Sequence, residues 1–149
     1  MHKLDKELQN LFFRTFAPEK KEFLFSLLDE ISLDEGDILF TTGQRGDAMF
    51  FIAEGRLAVQ ERTGFAERTQ VVALLDQGAP VGEGALLPGH VHSATLLAVK
   101  KTRIFTLSRK RYLQLKEDDP DLAVALLESV FARTCLRLQK SSERLSRVL

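Results

Sequence analysis

Cysteine is almost absent: the 149 residues contain one, Cys135, so no internal disulfide framework exists and the composition fits a reducing compartment. Net charge is absent too. Lysine plus arginine number 21, aspartate plus glutamate number 21, and nothing overall points to a polyanionic partner. No apolar run is long enough to cross a bilayer. Residues 1–7 mix charges of both signs and do not read as a signal peptide, so a cytoplasmic location is the default expectation. Internal repeats and low-complexity segments are missing. So are the signatures of catalysis: there is no nucleophile elbow, no dinucleotide-type glycine fingerprint, and no metal-ligand spacing beyond His90-x-His92. What remains is a binding module rather than an enzyme. The length suits one domain with a single core, and a hydrophobic fraction of 44% with 28% charged residues is ordinary for a globular protein.

The chain changes grammar twice. Leu4, Leu8, Leu11 and Phe12 recur at helical spacing, which predicts a short amphipathic helix over residues 4–13. Pro18 then restarts a helix, with Glu19 and Glu22 near its positive end and Phe23, Leu24, Leu27 and Leu28 as the expected buried stripe. The phenylalanines here, Phe12, Phe13, Phe16, Phe23 and Phe25, read as a lid packed on the rest of the fold rather than a partner site. From Ile31 short strands alternate with turns: 31–34, 38–40, 48–52, 57–60, 69–75, 94–99 and 102–107, with a break at Thr63-Gly64-Phe65. Regular short strands indicate a sandwich or barrel. Gly36, Gly43, Gly46 and Gly55 serve turn geometry in this reading. Ser108 caps a helix over 109–116. Asp119-Pro120 caps and opens a long helix running towards the end of the chain. Leu127, Phe131, Thr134, Leu138, Ser141, Leu145 and Val148 fall on a heptad, and the later ones outrun a domain of this size. Arg133, Arg137, Lys140, Arg144 and Arg147 make the late turns basic, a solvated face suited to the helix's negative end.

Residues 81–95 carry the chemistry. Val81-Gly82-Glu83-Gly84-Ala85 passes from a strand end into a short apolar run, and a loop with Pro88 and Gly89 leads through His90, His92 and Ser93 to a new strand. Glycines at that spacing let the backbone approach a ligand, and a short helix starting there offers N–H groups to an anion. Glu83 is out of place beside a purely anionic ligand. A carboxylate accepts, so its natural partner is a hydroxyl such as a ribose 2′-OH. Phosphate donors plus a ribose acceptor describe a nucleotide.

On these residues the stretch resembles the phosphate-binding cassette of the cyclic nucleotide-binding domain, found in bacterial catabolite activators, kinase regulatory subunits and gated channels. The family pattern runs Gly-Glu-small/apolar-Ala-Leu, a variable loop, then Arg-small-Ala-Thr. Gly82, Glu83, Ala85, Leu86, Ser93, Ala94 and Thr95 fall in register. His92 holds the position of the phosphate-pairing arginine, and Gly84 replaces a usual leucine or methionine. The resemblance implies a mainly β fold with flanking α: a jelly-roll-like double-stranded β-helix, or β-barrel, with N-terminal helices over 1–30, a β-roll over 31–107 and C-terminal helices over 108–149, all in one domain spanning 1–149. It implies a stand-alone regulatory sensor binding cyclic AMP or cyclic GMP, with no cofactor. The implied ligand-binding residues are Val81, Gly82, Glu83, Gly84, Ala85, His92, Ser93 and Arg137. Loss of the arginine fork implies weaker binding.

In relatives the equivalent long helix pairs two subunits and closes over the base, so a homodimer is expected. Activators of this family carry a helix-turn-helix after that helix. This chain stops at Leu149, so no DNA recognition by the chain alone is expected, and the lack of a long apolar run leaves no membrane partner expected. Two alternatives stay open. The same fold could hold haem or a metal on His90 and His92, as some members of the wider superfamily bind haem, or an empty pocket could leave a dimeric interaction scaffold.

Overall fold

The computed structural model describes residues 13–62 and 68–149. The expected helix over 4–13, apart from Phe13, and the break at residues 63–65 lie outside the described residues. Between Asp29 and Ser108 the alternating segments fold as strands: β1 (Asp29–Leu33), β2 (Ile38–Phe40), β3 (Ala48–Glu54), β4 (Arg56–Arg62), β5 (Thr69–Asp76), β6 (Pro80–Val81), β7 (Thr95–Ala98) and β8 (Thr102–Ser108). A four-residue 3-10 turn, Glu83–Leu86, follows β6. Helices flank them: α1 (Pro18–Ser26), α2 (Arg109–Asp118) and α3 (Pro120–Val148).

The strands form two four-stranded sheets, ordered β1-β8-β3-β6 and β2-β7-β4-β5. Every pairing is antiparallel. The fold is thus the expected jelly-roll type, but the sheets stay open and do not close into the barrel the resemblance implied. Their edges show why. β6 is two residues long and begins with Pro80, which has no N–H to extend a ladder, and β2 has three residues.

Alternation along the strands sets the layers. In β3, Met49, Phe51 and Ala53 face one side, where they join Phe105 and Leu107 of β8 and the helix residues Leu24, Tyr112, Leu115, Leu122, Leu126 and Val130. Ile52, from the opposite face of β3, meets Leu57, Leu75, Leu96 and Ile104 between the two sheets. Phe13 packs edge-on against Phe25 and Phe51, as expected of a lid. The buried stripe of α1 differs from expectation. The helix ends at Ser26, so Leu27 and Leu28 follow in the turn and are half-buried, Leu24 is buried, and Phe23 is exposed.

The hairpin between β3 and β4 requires glycine. Gly55 has φ +109°, and a methyl group there would stand 2.6 Å from the Thr102 Cα. At the far end, Ser108 accepts from the Arg111 N–H and caps α2, and Asp119 accepts from the Leu122 N–H and caps α3. Lys20 of α1 pairs with that capping carboxylate at 2.6 Å, which raises the lysine pKa and lowers that of the aspartate. α3 has 29 residues, about 43 Å of helix. Its buried face, Leu122, Ala123, Leu126 and Val130, is spent within the first turns. Beyond it the heptad residues Phe131, Leu138 and Leu145 are 69%, 66% and 59% exposed.

Candidate functional site

Where the apolar stripe of α3 ends, its next turns roof a cavity of about 1110 Å³. The floor is the mouth of the sandwich, with Val59, Leu75, Leu96 and Phe40; one wall is the stretch from Gly78 to Gly84, and another holds His90, His92 and Ser93. That size accommodates a nucleotide.

Glu83 is the hinge of the arrangement. Gly82 has φ +65° and turns β6 into the 3-10 turn, which aims the Glu83 side chain at the helix. Glu83 Oε1 accepts from Arg137 Nη2 at 2.5 Å and from Thr134 Oγ1 at 3.4 Å. Arg137 Nη1 also donates to the Pro80 carbonyl at 2.9 Å, and Arg133 Nη1 reaches the Gly78 carbonyl at 3.4 Å. Burial lowers the Arg133 pKa. Glu83 Oε2 is buried and has no hydrogen-bond partner among the described residues. A buried carboxylate oxygen without a donor is costly, and a hydroxyl or N–H donor reaching it would relieve that cost.

The remaining candidates separate by position. Val81 is buried in β6, paired with Phe50, and lines the cavity together with Gly82 and Gly84. Ser93 is exposed on the same wall. Ala85 is buried behind the turn, with its methyl towards Gly46, and is not part of the cavity lining. The backbone anion nest expected at this point is small: the turn spans four residues, and the Ala85 N–H is already committed to the Gly82 carbonyl at 3.0 Å.

His92 is 6% exposed, with its ring stacked on Phe40 at a centroid distance of 3.6 Å and an angle of 10°. Burial pushes its pKa down and His90 adds to this, while Asp47 opposes it. His90 meets His92 edge to face at 5.5 Å. For a metal, the pair brings two imidazoles together, and no group of three or more His, Cys, Asp or Glu gathers around an ion-sized space among the described residues.

Sequence reasoning passed over Thr134 and Arg133 as site residues and misread Gly46. The signal for the first two was present: the buried positions 122, 126 and 130 continue on the same helix face to 133, 134 and 137, where the residues turn polar. Gly46 is not a left-handed turn glycine, unlike Gly36, Gly43 and Gly55. A methyl group on it would meet His90 Cδ2 at 3.0 Å, the Ala85 methyl at 3.1 Å and His92 Cε1 at 3.3 Å, so it is kept small by the histidines of the cavity wall.

The sequence profile of the cyclic nucleotide-binding domain matches residues 30–119. The cyclic AMP receptor protein of Thermus thermophilus is 31% identical over 103 residues, 69% of this chain and 47% of that protein. The cGMP-dependent protein kinase 2 of Mus musculus is 30% identical over 102 residues, 63% of this chain and 13% of the kinase. The chain thus spans about half or less of these relatives. Among solved structures, a cyclic nucleotide-binding domain from Methylobacillus flagellatus superposes with a TM-score of 0.87 at 24% identity, covering 97% of this chain and 85% of that one. The Thermus thermophilus catabolite activator protein gives 0.73 at 28% identity, covering 93% and 62%. The matched span contains both sheets and the Glu83 turn, and by it the chain belongs to the cyclic nucleotide-binding domain family.

Proposed function

We propose that the chain is a regulatory module that binds a cyclic nucleotide, cyclic AMP or cyclic GMP, in the cavity under α3 and passes the binding event to that helix. The observation that carries this is Glu83, which lines the cavity: one carboxylate oxygen is bonded to Arg137 of the helix, and the other is buried without a donor. A ribose 2′-OH donating to Oε2 completes the carboxylate's hydrogen bonds and steadies the group that holds α3. Val81, Gly82 and Gly84 frame the sugar, Ser93 and the histidine wall face the phosphate, and Arg137 closes the site from above. The arginine fork is replaced by imidazole, which has fewer donors and is not permanently charged, so affinity is weaker than in arginine-bearing relatives by about one to two decades.

The exposed heptad of α3 supports a homodimer through parallel helices, with Leu138 and Leu145 on the seam. The kinase activity of a relative is not carried over, because the match covers only 13% of that protein.

Calorimetric titration with cyclic AMP, cyclic GMP and 2′-deoxy cyclic AMP tests the reading. The ribonucleotide binds about tenfold or more tighter than its deoxy analogue, the worth of one charge-assisted hydrogen bond. Absence of heat with either ribonucleotide, or equal affinity for the deoxy form, refutes it. The haem alternative rests on the His90 and His92 pair and the scaffold alternative on the exposed face of α3, and neither accounts for the unpaired oxygen of Glu83.

A further inference from the structure

His90 is seated between two glycines. A methyl group on Gly46 would stand 3.0 Å from its Cδ2, and one on Gly84 would stand 2.7 Å from Nδ1 and 2.8 Å from Nε2. A methyl group at Gly84 would force the ring to shift, and one at Gly46 would crowd it by a few tenths of an ångström. The main chain fixes the loop that carries it: the Gly46 N–H donates to the His90 carbonyl at 2.9 Å, and the His92 N–H donates to the Gln44 carbonyl at 2.9 Å. So placed, the His90 ring is half-buried on the cavity wall next to the Glu83 turn. His92 is placed differently, flat against Phe40 and nearly sealed from solvent.

We infer that His90 donates to the anionic group of the ligand, with His92 as the aromatic wall behind it, and that Gly46 and Gly84 are small in order to seat that ring. The inference rests on the cyclic nucleotide reading above and names the residue that meets the phosphate. An imidazole on a phosphate gains a charge-assisted bond when it is protonated, so the ligand raises the histidine's pKa. Binding is then favoured below the free-state pKa, and the gain disappears as pH rises through the bound-state value. His92 meets it edge to face at 5.5 Å, and the elements beside it carry Asp47, whose charge reaches His92, Arg45, whose main chain bridges Val91, and the Glu83–Arg137 pair.

The test is an NMR titration of the three histidines of the full chain, with and without saturating cyclic AMP, assigned with His2→Gln and His90→Gln. The His90 midpoint rises on binding and the His92 midpoint moves less. In calorimetry, His90→Gln weakens cyclic AMP binding about tenfold near pH 6 and much less near pH 8. Gly84→Ala displaces the flexible ring without removing it and produces the same loss. Tight binding with an unmoved His90 midpoint, an unchanged pH profile in His90→Gln, or a rise confined to His92 overturns the assignment while leaving the nucleotide reading standing. Failure of the wild type to bind either cyclic nucleotide overturns both.

Discussion

Arg137→Ala is the substitution that most directly probes how the cavity is tied to the helix. Arg137 makes two bonds from one guanidinium, to Glu83 Oε1 at 2.5 Å and to the Pro80 carbonyl at 2.9 Å. Charge centres about 4 Å apart attract by about 4 kcal/mol at an effective dielectric of about 20. The two side chains are 34% and 21% exposed, so solvent screening and desolvation bring the net pair energy down to about 1–2 kcal/mol. The single substitution costs more than the pair is worth, about 2–4 kcal/mol. It strips the Pro80 carbonyl of its donor and leaves a mostly buried carboxylate with only the long bond from Thr134. A double-mutant cycle with Glu83→Ala, read by urea unfolding at one protein concentration, separates the two quantities. Hydrogen exchange adds location: amides of α3 around residues 133–141 lose protection in Arg137→Ala, while those around the buried Leu122 and Leu126 keep theirs. A coupling energy below about 0.5 kcal/mol, within ordinary additivity, refutes the claim that this pair ties down the helix.

Replacing Leu138 and Leu145 with glutamate gives monomers by sedimentation; a wild type that is already monomeric at tens of micromolar, an association of about 6–7 kcal/mol, contradicts the dimer. The unliganded protein loses stability as pH falls through the ordinary histidine value of 6.5, because burial keeps His92 neutral in the fold while the unfolded chain takes up the proton. Thermal melts show this as a fall in Tm that continues towards the lowered folded-state pKa, and His92→Phe, which keeps an aromatic ring for Phe40, flattens the profile. Gly55→Ala destabilises by about 1–3 kcal/mol or more in chemical unfolding, since φ +109° and the Thr102 backbone both oppose a Cβ; a neutral result removes the account of the β3–β4 hairpin.

Much of the fold was legible from residue order alone. Short alternating runs between turns specified the strands, because a period of two is the only way such segments bury one face. Asp119-Pro120 and Ser108 specified helix starts, because capping is decided by neighbouring atoms. Glu83 stood out because an acceptor beside glycine turns narrows the ligand's chemistry. Other features required distant segments to meet. The sheets remain open because of which edges the topology leaves short. The stripe expected of α1 holds at Leu24 but not beyond, because the helix stops at Ser26, just before Leu27 and Leu28.

The candidate site divides along the same line. Local sequence specified that an acceptor, small residues and imidazoles lie within a few residues of one another in 81–95. It could not specify that Arg137, 54 positions away, grips one oxygen of Glu83, or that Gly46, in another loop, shares a histidine ring with Gly84. It singled out His92, by its register with the family's arginine, but not how differently the rings of His90 and His92 are buried. Both rings line the cavity, but tertiary packing buries one flat against Phe40 and leaves the other half-exposed, because burial and stacking are properties of the surrounding surface and not of the residue that enters it.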